Sequence, residues 1–261
     1  MEEKKQVEYF DFTQEMQEEA EKIIEEDNGS LSNFIYTKFD NQANKMWDVF
    51  YKNNTANFFK DRHYLLNEFP ELNGEILLLE VGCGVGNAIY PLLEDNQALR
   101  AQVCDFSREA INLLRQNPSF NSERLQADVC DITKQPVPFT EPSDALLILF
   151  VLSAISPEKH RLAIANATSN LKPGGLVMFR DYGRYDLAQL RLAGKRNKKL
   201  KENFYLKQDG TRCYYFTTQE IETLFEGFRV LENEYHYRVV KNRKEDIKMN
   251  RVWIQAKLIK L

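Results

Sequence analysis

Short apolar runs alternate along this chain with stretches whose apolar positions recur at helical spacing, and this alternation predicts the architecture. Residues 76–79, 100–105, 125–129, 144–152 and 176–180 are dense in aliphatic side chains and read as strands buried in a parallel sheet. Between them, residues 88–93, 109–116 and 157–171 read as helices. Ser107 is placed as the N-cap of the second, Asn117-Pro118 closes it, and Lys172-Pro173-Gly174-Gly175 stops the third. Thr217 and Glu220 form a capping-box pattern for a further helix running to residue 225, with Gly227 ending it. Residues 228–239 and 251–259 then read as two antiparallel strands joined by a charged loop, 241–250. Five parallel strands and a terminal antiparallel pair predict an α/β, Rossmann-like, seven-stranded sheet with helices on both faces. The segment before residue 43 is a helical, partly flexible extension in this reading, and 43–261 is one domain.

The most informative chemistry follows the first parallel strand. Glu80-Val81-Gly82-Cys83-Gly84-Val85-Gly86-Asn87 carries a strand into a glycine loop and then a helix. Glycines there let the backbone approach a ligand where a Cβ would clash. A dinucleotide fingerprint wants its third glycine where this chain has Asn87. The alternating glycines behind an acidic strand end, Glu80, instead match the form used for S-adenosylmethionine (SAM). Nineteen residues past Gly86, Asp105 ends the next strand, where a carboxylate can accept from both ribose hydroxyls. Asp128 to Ile132 end the third strand, with Asp131 and the adjacent backbone suited to an adenine edge, and Leu149 to Ser153 should border the methionine end. Any one of these acids could be an ordinary loop residue. Landmarks at consecutive strand tips predict a SAM-dependent methyltransferase.

With 43% hydrophobic residues in 261, the chain can bury one large α/β core, and its apolar runs are too short to span a bilayer. The acid-rich start lacks a signal-peptide core and predicts a cytoplasmic protein, with a nuclear pool allowed. Cys83, Cys104, Cys130 and Cys213 are scattered without zinc-ligand spacing, so no metal is expected and free buried thiols are.

Net charge is −4, but unevenly spread. Residues 1–27 hold eleven acids against three lysines. Between Arg184 and Arg212 the balance reverses, with Arg191, Lys195, Arg196, Lys198, Lys199, Lys201 and Lys207 interleaved with Phe204 and Tyr205. Solvated faces account for most such runs. Two basic runs flanking the catalytic side, with aromatics among them, look more like a nucleic-acid footprint, cations meeting phosphates and rings meeting bases. Upstream, Trp47 and Tyr51 are four apart and share a helix face, either docking on the sheet or forming a lid over the cofactor. The compact cluster Lys60-Asp61-Arg62-His63 that follows has no use in a core.

Asn57-Phe-Phe-Lys-Asp-Arg-His-Tyr64, Leu79-Glu-Val-Gly-Cys-Gly-Val-Gly-Asn87, Cys104-Asp-Phe-Ser107, Phe150-Val-Leu-Ser-Ala-Ile155, Phe179-Arg-Asp-Tyr-Gly183 and Gln208-Asp-Gly-Thr-Arg212 together resemble the tRNA N3-methylcytidine methyltransferases, in their compact form. The resemblance runs from about Ala43 to the C-terminus. It implies a class I SAM-dependent fold acting on cytidine 32 of the tRNA anticodon loop, with seryl-tRNA as the expected substrate. Some family members act with a seryl-tRNA synthetase, which becomes a candidate partner of an otherwise monomeric enzyme. Matching positions imply cofactor contacts at Trp47, Tyr51, Gly82, Asp105, Asp131, Ile132 and Leu149, to which Glu80, Gly84 and Phe106 of the same motifs are added. Residues 43–72 become a lid and tRNA-contact segment. This chain departs from the family pattern at Tyr64, often tryptophan in relatives, and at the lysine-rich stretch 194–201.

Cytosine N3 carries a lone pair, so its methylation needs orientation more than a strong base. The product is cationic, and Asp181 is the candidate to stabilise the developing charge, with Arg180 contacting the base carbonyl or a phosphate. The alternative is an Arg180–Asp181 structural ion pair. Tyr182 and Phe204 are stacking candidates for a splayed base, and Lys60, Arg62, His63, Arg184, Lys195, Arg196 and Arg212 are candidate tRNA contacts. Two other functions compete: methyl transfer to a protein or small metabolite, and a non-catalytic RNA- or synthetase-binding module.

Overall fold

The computed structural model describes residues 8–54, 61–242 and 247–261. Among these, eight strands form one sheet in the order β1-β10-β11-β6-β5-β2-β3-β4. Its parallel half comprises β2 (Leu77–Val81), β3 (Arg100–Asp105), β4 (Leu125–Val129), β5 (Ser143–Leu149) and β6 (Leu171–Tyr182). β10 (Phe228–Asn242) and β11 (Ile247–Lys260) complete it as the expected antiparallel pair. Order reverses at β2, so the β2 and β5 tips open on the crevice where such sheets bind ligands. β2 is buried along its whole length, which is why its sequence reads as one apolar run rather than an alternation.

Two apolar layers flank the sheet. One gathers Leu79, Val81, Ile148, Phe179, Phe216 and Ile254 under α7 (His160–Ala167) and α9 (Thr218–Leu224). The other gathers Leu78, Val103, Leu147 and Met178 under α4 (Leu65–Glu68), α5 (Ile89–Asp95) and α6 (Arg108–Arg115). Ser107 caps α6 by accepting from the Ala110 N–H, and Thr217 and Glu220 form the capping box of α9.

Three features depart from the sequence expectation. The third helix is shorter than 157–171, and β6 begins at Leu171. Lys172-Pro-Gly-Gly175 does not separate helix from strand. It is looped out within β6, whose pairing with β5 jumps from Ser143↔Leu171 to Ala145↔Leu176, with Gly174 at φ 76°. Second, the edge of the sheet carries an eighth strand, β1 (Glu8–Tyr9), antiparallel to β10. Third, residues 199–214 fold as a separate meander of β7 (Lys199–Lys201), β8 (Phe204–Leu206) and β9 (Arg212–Tyr214).

The N-terminal segment builds on that meander. α2 (Asn33–Asn41) buries Tyr36 against Leu200, Phe204 and Leu206, and its Asp40 accepts from Lys159 and Arg212. α1 (Gln14–Glu25) sets Ile23 and Ile24 against α8 (Leu187–Ala193) and Tyr205. The acids of α1 therefore line its outer side because its apolar stripe is committed inward.

Candidate active site

The glycine loop leaves β2 with Gly82, Gly84 and Gly86 all at positive φ. A Cβ on Gly82 would lie 2.4 Å from the Val151 side chain, and one on Gly84 would lie 2.8 Å from the Tyr51 hydroxyl. The loop is thus closed to side chains from both sides while its backbone faces the crevice. Gly82 and Cys83 donate to the Cys104 carbonyl at 2.7 and 3.1 Å, tying the loop to the tip of β3.

Asp105 ends β3 nearly buried. Its carboxylate accepts from the Gly84 and Ser107 N–H groups at 3.0 and 2.9 Å. Burial outweighs these bonds and pushes its pKa up to about 6. Glu80, at the end of β2, is more deprived. Burial raises it to about 8 against the opposing charge of Arg62, and its Oε2 has no hydrogen-bond partner among the described residues. Two buried carboxylates beside a glycine cradle, one of them with an unpartnered oxygen, fit a ligand rich in hydroxyl and ammonium groups, which SAM is.

α3 (Ala43–Asn54) lies across this loop. Phe50 and Tyr51 pack with Val85 and Ala110, and Trp47 sits against both rings at 5.1 and 5.8 Å. Asn44 donates to the Phe106 carbonyl, and Asp48 accepts from the Ser107 hydroxyl at 2.6 Å. At the tip of β4, the Cys130 N–H donates to the Asp105 carbonyl, bringing Asp131 and buried Ile132 alongside. Asp131 holds Thr133 and Lys134, and these partners, outweighing burial, lower its pKa. Leu149 ends β5. The structure therefore brings Glu80, Gly82, Gly84, Asp105, Phe106, Trp47 and Tyr51 into one crevice, with Asp131, Ile132 and Leu149 on the adjoining strand tips.

Beyond Leu149 stands Phe150, a non-glycine residue at φ 58° whose N–H donates to the Arg180 carbonyl at 2.8 Å. Such a conformation costs about 1 kcal/mol or more and concentrates where a side chain must be aimed. Its ring meets Tyr182 at 4.9 Å and Trp253 at 5.4 Å, and the Arg62 guanidinium lies 5.1 Å over it. Tyr182 and Trp253 are cross-strand partners on β6 and β11. These partly exposed rings form an aromatic floor beside the cofactor crevice.

Comparison with known proteins sharpens this picture. The family described as "Methyltransferase domain" matches residues 79–177. Over 255 residues the chain is 44% identical to the human tRNA N(3)-cytidine methyltransferase METTL6, covering 93% of this chain and 89% of that protein. The chain belongs to the tRNA N(3)-cytidine methyltransferases. It is 42% identical over 229 residues to a second member, trm140 of Schizosaccharomyces pombe, covering 83% of this chain and 74% of that one. A SAM-dependent methyltransferase from Anabaena variabilis shares the fold, with a TM-score of 0.63 at 14% identity over 84% of this chain and 95% of that one. As a member of this family the chain is a methyltransferase, and its cofactor is SAM.

The substrate side of the family site is rearranged relative to the sequence reading. Arg180 is fully buried, paired with Glu68, bonded to Gln255 and enclosed by the rings of Tyr64, Phe69 and Trp253. It cannot reach a base in this packing. Nor does it pair with Asp181, because successive strand residues face opposite sides of the sheet. Asp181 is also fully buried. It accepts from the Ser153 and Tyr182 N–H groups at 2.9 Å each, and burial lifts its pKa to about 6. Phe204, 0% exposed, belongs to the core with Tyr36 and has no free face for stacking. Arg212 is spent on Asp40, Ser156 and the Ala154 carbonyl, and Arg184 on the Tyr215 carbonyl and Glu220. Lys195, Arg196 and His63 are exposed, whereas Arg62 turns toward Glu80 and Phe150. Lys60 lies outside the described residues. Sequence reasoning passed over Phe150 as a floor residue, Trp253, and the polar pair Asn44 and Asp48. A bulky aromatic at a strand tip was the available signal for Phe150. The others have none, since their partners lie far away in the chain.

Proposed function

We propose that this enzyme methylates N3 of cytidine 32 in the tRNA anticodon loop, with seryl-tRNA as substrate. The observation that carries this reading is the aromatic floor of Phe150 and Tyr182, at the tips of β5 and β6, and Trp253 beside Tyr182 on β11, next to the glycine crevice of a tRNA N(3)-cytidine methyltransferase. N3 sits on the pairing edge of cytosine, so the base must be unpaired and splayed, as a loop base is. The rings are tilted to one another, Phe150 by 42° to Tyr182 and by 75° to Trp253, so one ring face at a time can hold such a base by stacking, worth about 1–3 kcal/mol per base.

SAM, when bound, supplies an electrophilic methyl group on a sulfonium. Glu80 and Asp105 would accept from its amino and hydroxyl groups, and Trp47 and Tyr51 would cover it. Stacking on Phe150 or Tyr182 would set the plane of the base, so that the N3 lone pair would point along the line of transfer, where orientation lowers the barrier by about 7–11 kcal/mol. Asp181 acts as a positioning residue: by holding the Ser153 and Tyr182 amides it fixes the two strand ends that carry the floor. Its buried negative charge also favours the cationic product. Lys195, Arg196, His63 and Lys60 meet tRNA phosphates. Residues 43–261 make up the methyltransferase domain, with 43–72 as lid, and 1–42 is its N-terminal extension. The enzyme works in the cytoplasm as a monomer, with seryl-tRNA synthetase as the candidate partner presenting the tRNA.

The test is incubation of purified protein with labelled SAM and total tRNA lacking 3-methylcytidine, with and without seryl-tRNA synthetase, followed by mass-spectrometric mapping. Label in 3-methylcytidine at position 32 of seryl-tRNA is expected. Label at another position or in another tRNA would overturn the site or the substrate. Dependence on the synthetase would decide the partner.

A further inference from the structure

The lid helix α3 is fixed to the cofactor crevice by a polar contact that the apolar packing does not require. Asp48 Oδ1 accepts from the Ser107 hydroxyl at 2.6 Å and faces the Glu109 N–H at 3.4 Å. One turn earlier Asn44 donates to the Phe106 carbonyl. Ser107 in turn caps α6 and donates its own N–H to Asp105. The lid is thus joined to Phe106 and Ser107, the two residues that directly follow the ribose-facing carboxylate, and to Glu109 in the first turn of α6. Residues 44 and 48 stand one turn apart on α3, and residues 47 and 51 stand one turn apart on its neighbouring face. Fixing one pair sets the height and rotation of the other.

We propose that Asp48 is a positioning residue for cofactor binding, a latch that holds Trp47 and Tyr51 over the SAM crevice by gripping Ser107. The inference rests on the reading of Trp47 and Tyr51 as cofactor contacts. Asp48 touches no reacting atom in this scheme.

Its charge gives the latch a signature that a merely structural contact lacks. The groups facing Asp105 are Asp48 and Tyr51 from α3, Glu80 from β2, Cys83 from the glycine loop and Cys104 from its own strand. Burial first, and then Asp48, hold the Asp105 carboxyl up against the bonds from Ser107 and Gly84. Ribose hydroxyls donate to the ionised carboxylate, so affinity for SAM rises with pH as Asp105 loses its proton. Removing the Asp48 charge moves that rise to lower pH.

The experiment is calorimetric titration of the full chain with SAM from pH 5 to 7.5 for the wild type, Asp48→Asn, Asp48→Ala, Ser107→Ala and Trp47→Ala. Asp48→Ala should weaken binding about tenfold. Asp48→Asn keeps an acceptor oxygen and should lose less, while its pH midpoint falls below the wild-type value. Ser107→Ala should weaken binding with the midpoint moving the other way, because the Asp48 charge stays and its partner is gone. Trp47→Ala weakening binding while both Asp48 variants match the wild type in affinity and midpoint would overturn the latch. An unchanged affinity in Trp47→Ala would overturn the lid reading beneath it. Far-ultraviolet spectra and melting temperatures of each variant separate loss of fold from loss of the latch.

Discussion

The two halves of this site were written into the chain in different ways. On the cofactor half, the glycine loop and the carboxylates sit at or just past the ends of strands, where short motifs place them, and only the lid residues Trp47 and Tyr51 come from a helix elsewhere in the chain. Gly84, Asp105 and Ser107 are joined by backbone N–H groups donating to one carboxylate. On the substrate half, charge and aromatic content were read as a surface, and several of the residues given central roles there turned out to be interior. Phe204, Arg212 and Arg180 are all at or below 6% exposure. The lesson is that a basic and aromatic stretch specifies a set of partners but not where they are. In this protein many of the partners are supplied by α2, α4 and β11.

The comparison breaks first at Glu68. It stands between two buried guanidinium groups, pairing with Arg180 and, at 2.6 Å, with Arg238. Removing one member of such a cluster leaves uncompensated charge in a low-dielectric interior. Glu68→Gln should therefore cost about 3–5 kcal/mol of stability, read by chemical denaturation. Unchanged stability would mean that water reaches these arginines and that they are available to substrate after all.

Phe204→Ala comes next. As a core residue it should lose about 3–5 kcal/mol on truncation. A stable variant that binds SAM normally but fails only in tRNA methylation would restore Phe204 as a stacking residue.

On the cofactor half, Asp105→Asn should leave the fold intact and weaken SAM about tenfold to a hundredfold, the equivalent of about 1.5–3 kcal/mol for hydrogen bonds to a charged group. The carboxyls of Asp105 and Glu80 also set a pH dependence. Both are raised by burial in the folded protein, to about 6 and about 8, so the fold retains protons that the unfolded chain has released. Without cofactor, the contribution of these groups to stability is greatest below the ordinary carboxylate range. It is lost as pH rises through the two folded values, and thermal melts from pH 4.5 to 8.5 would show it as a falling Tm.

The smallest effect belongs to the exposed cations. Replacing Lys195 and Arg196 together by alanine should leave Tm and SAM affinity unchanged, while the salt dependence of tRNA binding falls by roughly 1.4–1.8 log units per log unit of salt if both meet phosphates. An unchanged slope in filter-binding or fluorescence titrations would remove this loop from the interface.

How much was legible in advance differs along the chain for the same physical reason. Ser107 and Thr217 could be placed as caps because a cap is settled within four residues. Lys172-Pro-Gly-Gly175 was misread as a helix stop because a looped-out segment inside a strand uses the same residues as a turn, and the pairing with β5 that distinguishes them is not local. The same holds for Asp181. Its carboxylate was visible at a strand end, but that it would turn to the Ser153 amide depended on how β5 and β6 were brought side by side.

By itself the sequence determined the alternation of strands and helices, the glycine loop after the first parallel strand, and the placement of Glu80 and Asp105 at strand ends, because periodicity, glycine at positive φ and strand-tip placement are properties of contiguous residues. Only the tertiary structure decided which arginines and aromatics face outward. It buried Arg180 behind Glu68, Phe204 behind Tyr36 and Arg212 behind Asp40, and it assembled Phe150, Tyr182 and Trp253 from three separate strands into one floor. Burial is a property of the partner as much as of the residue, and these partners stand dozens to more than a hundred positions away in the chain.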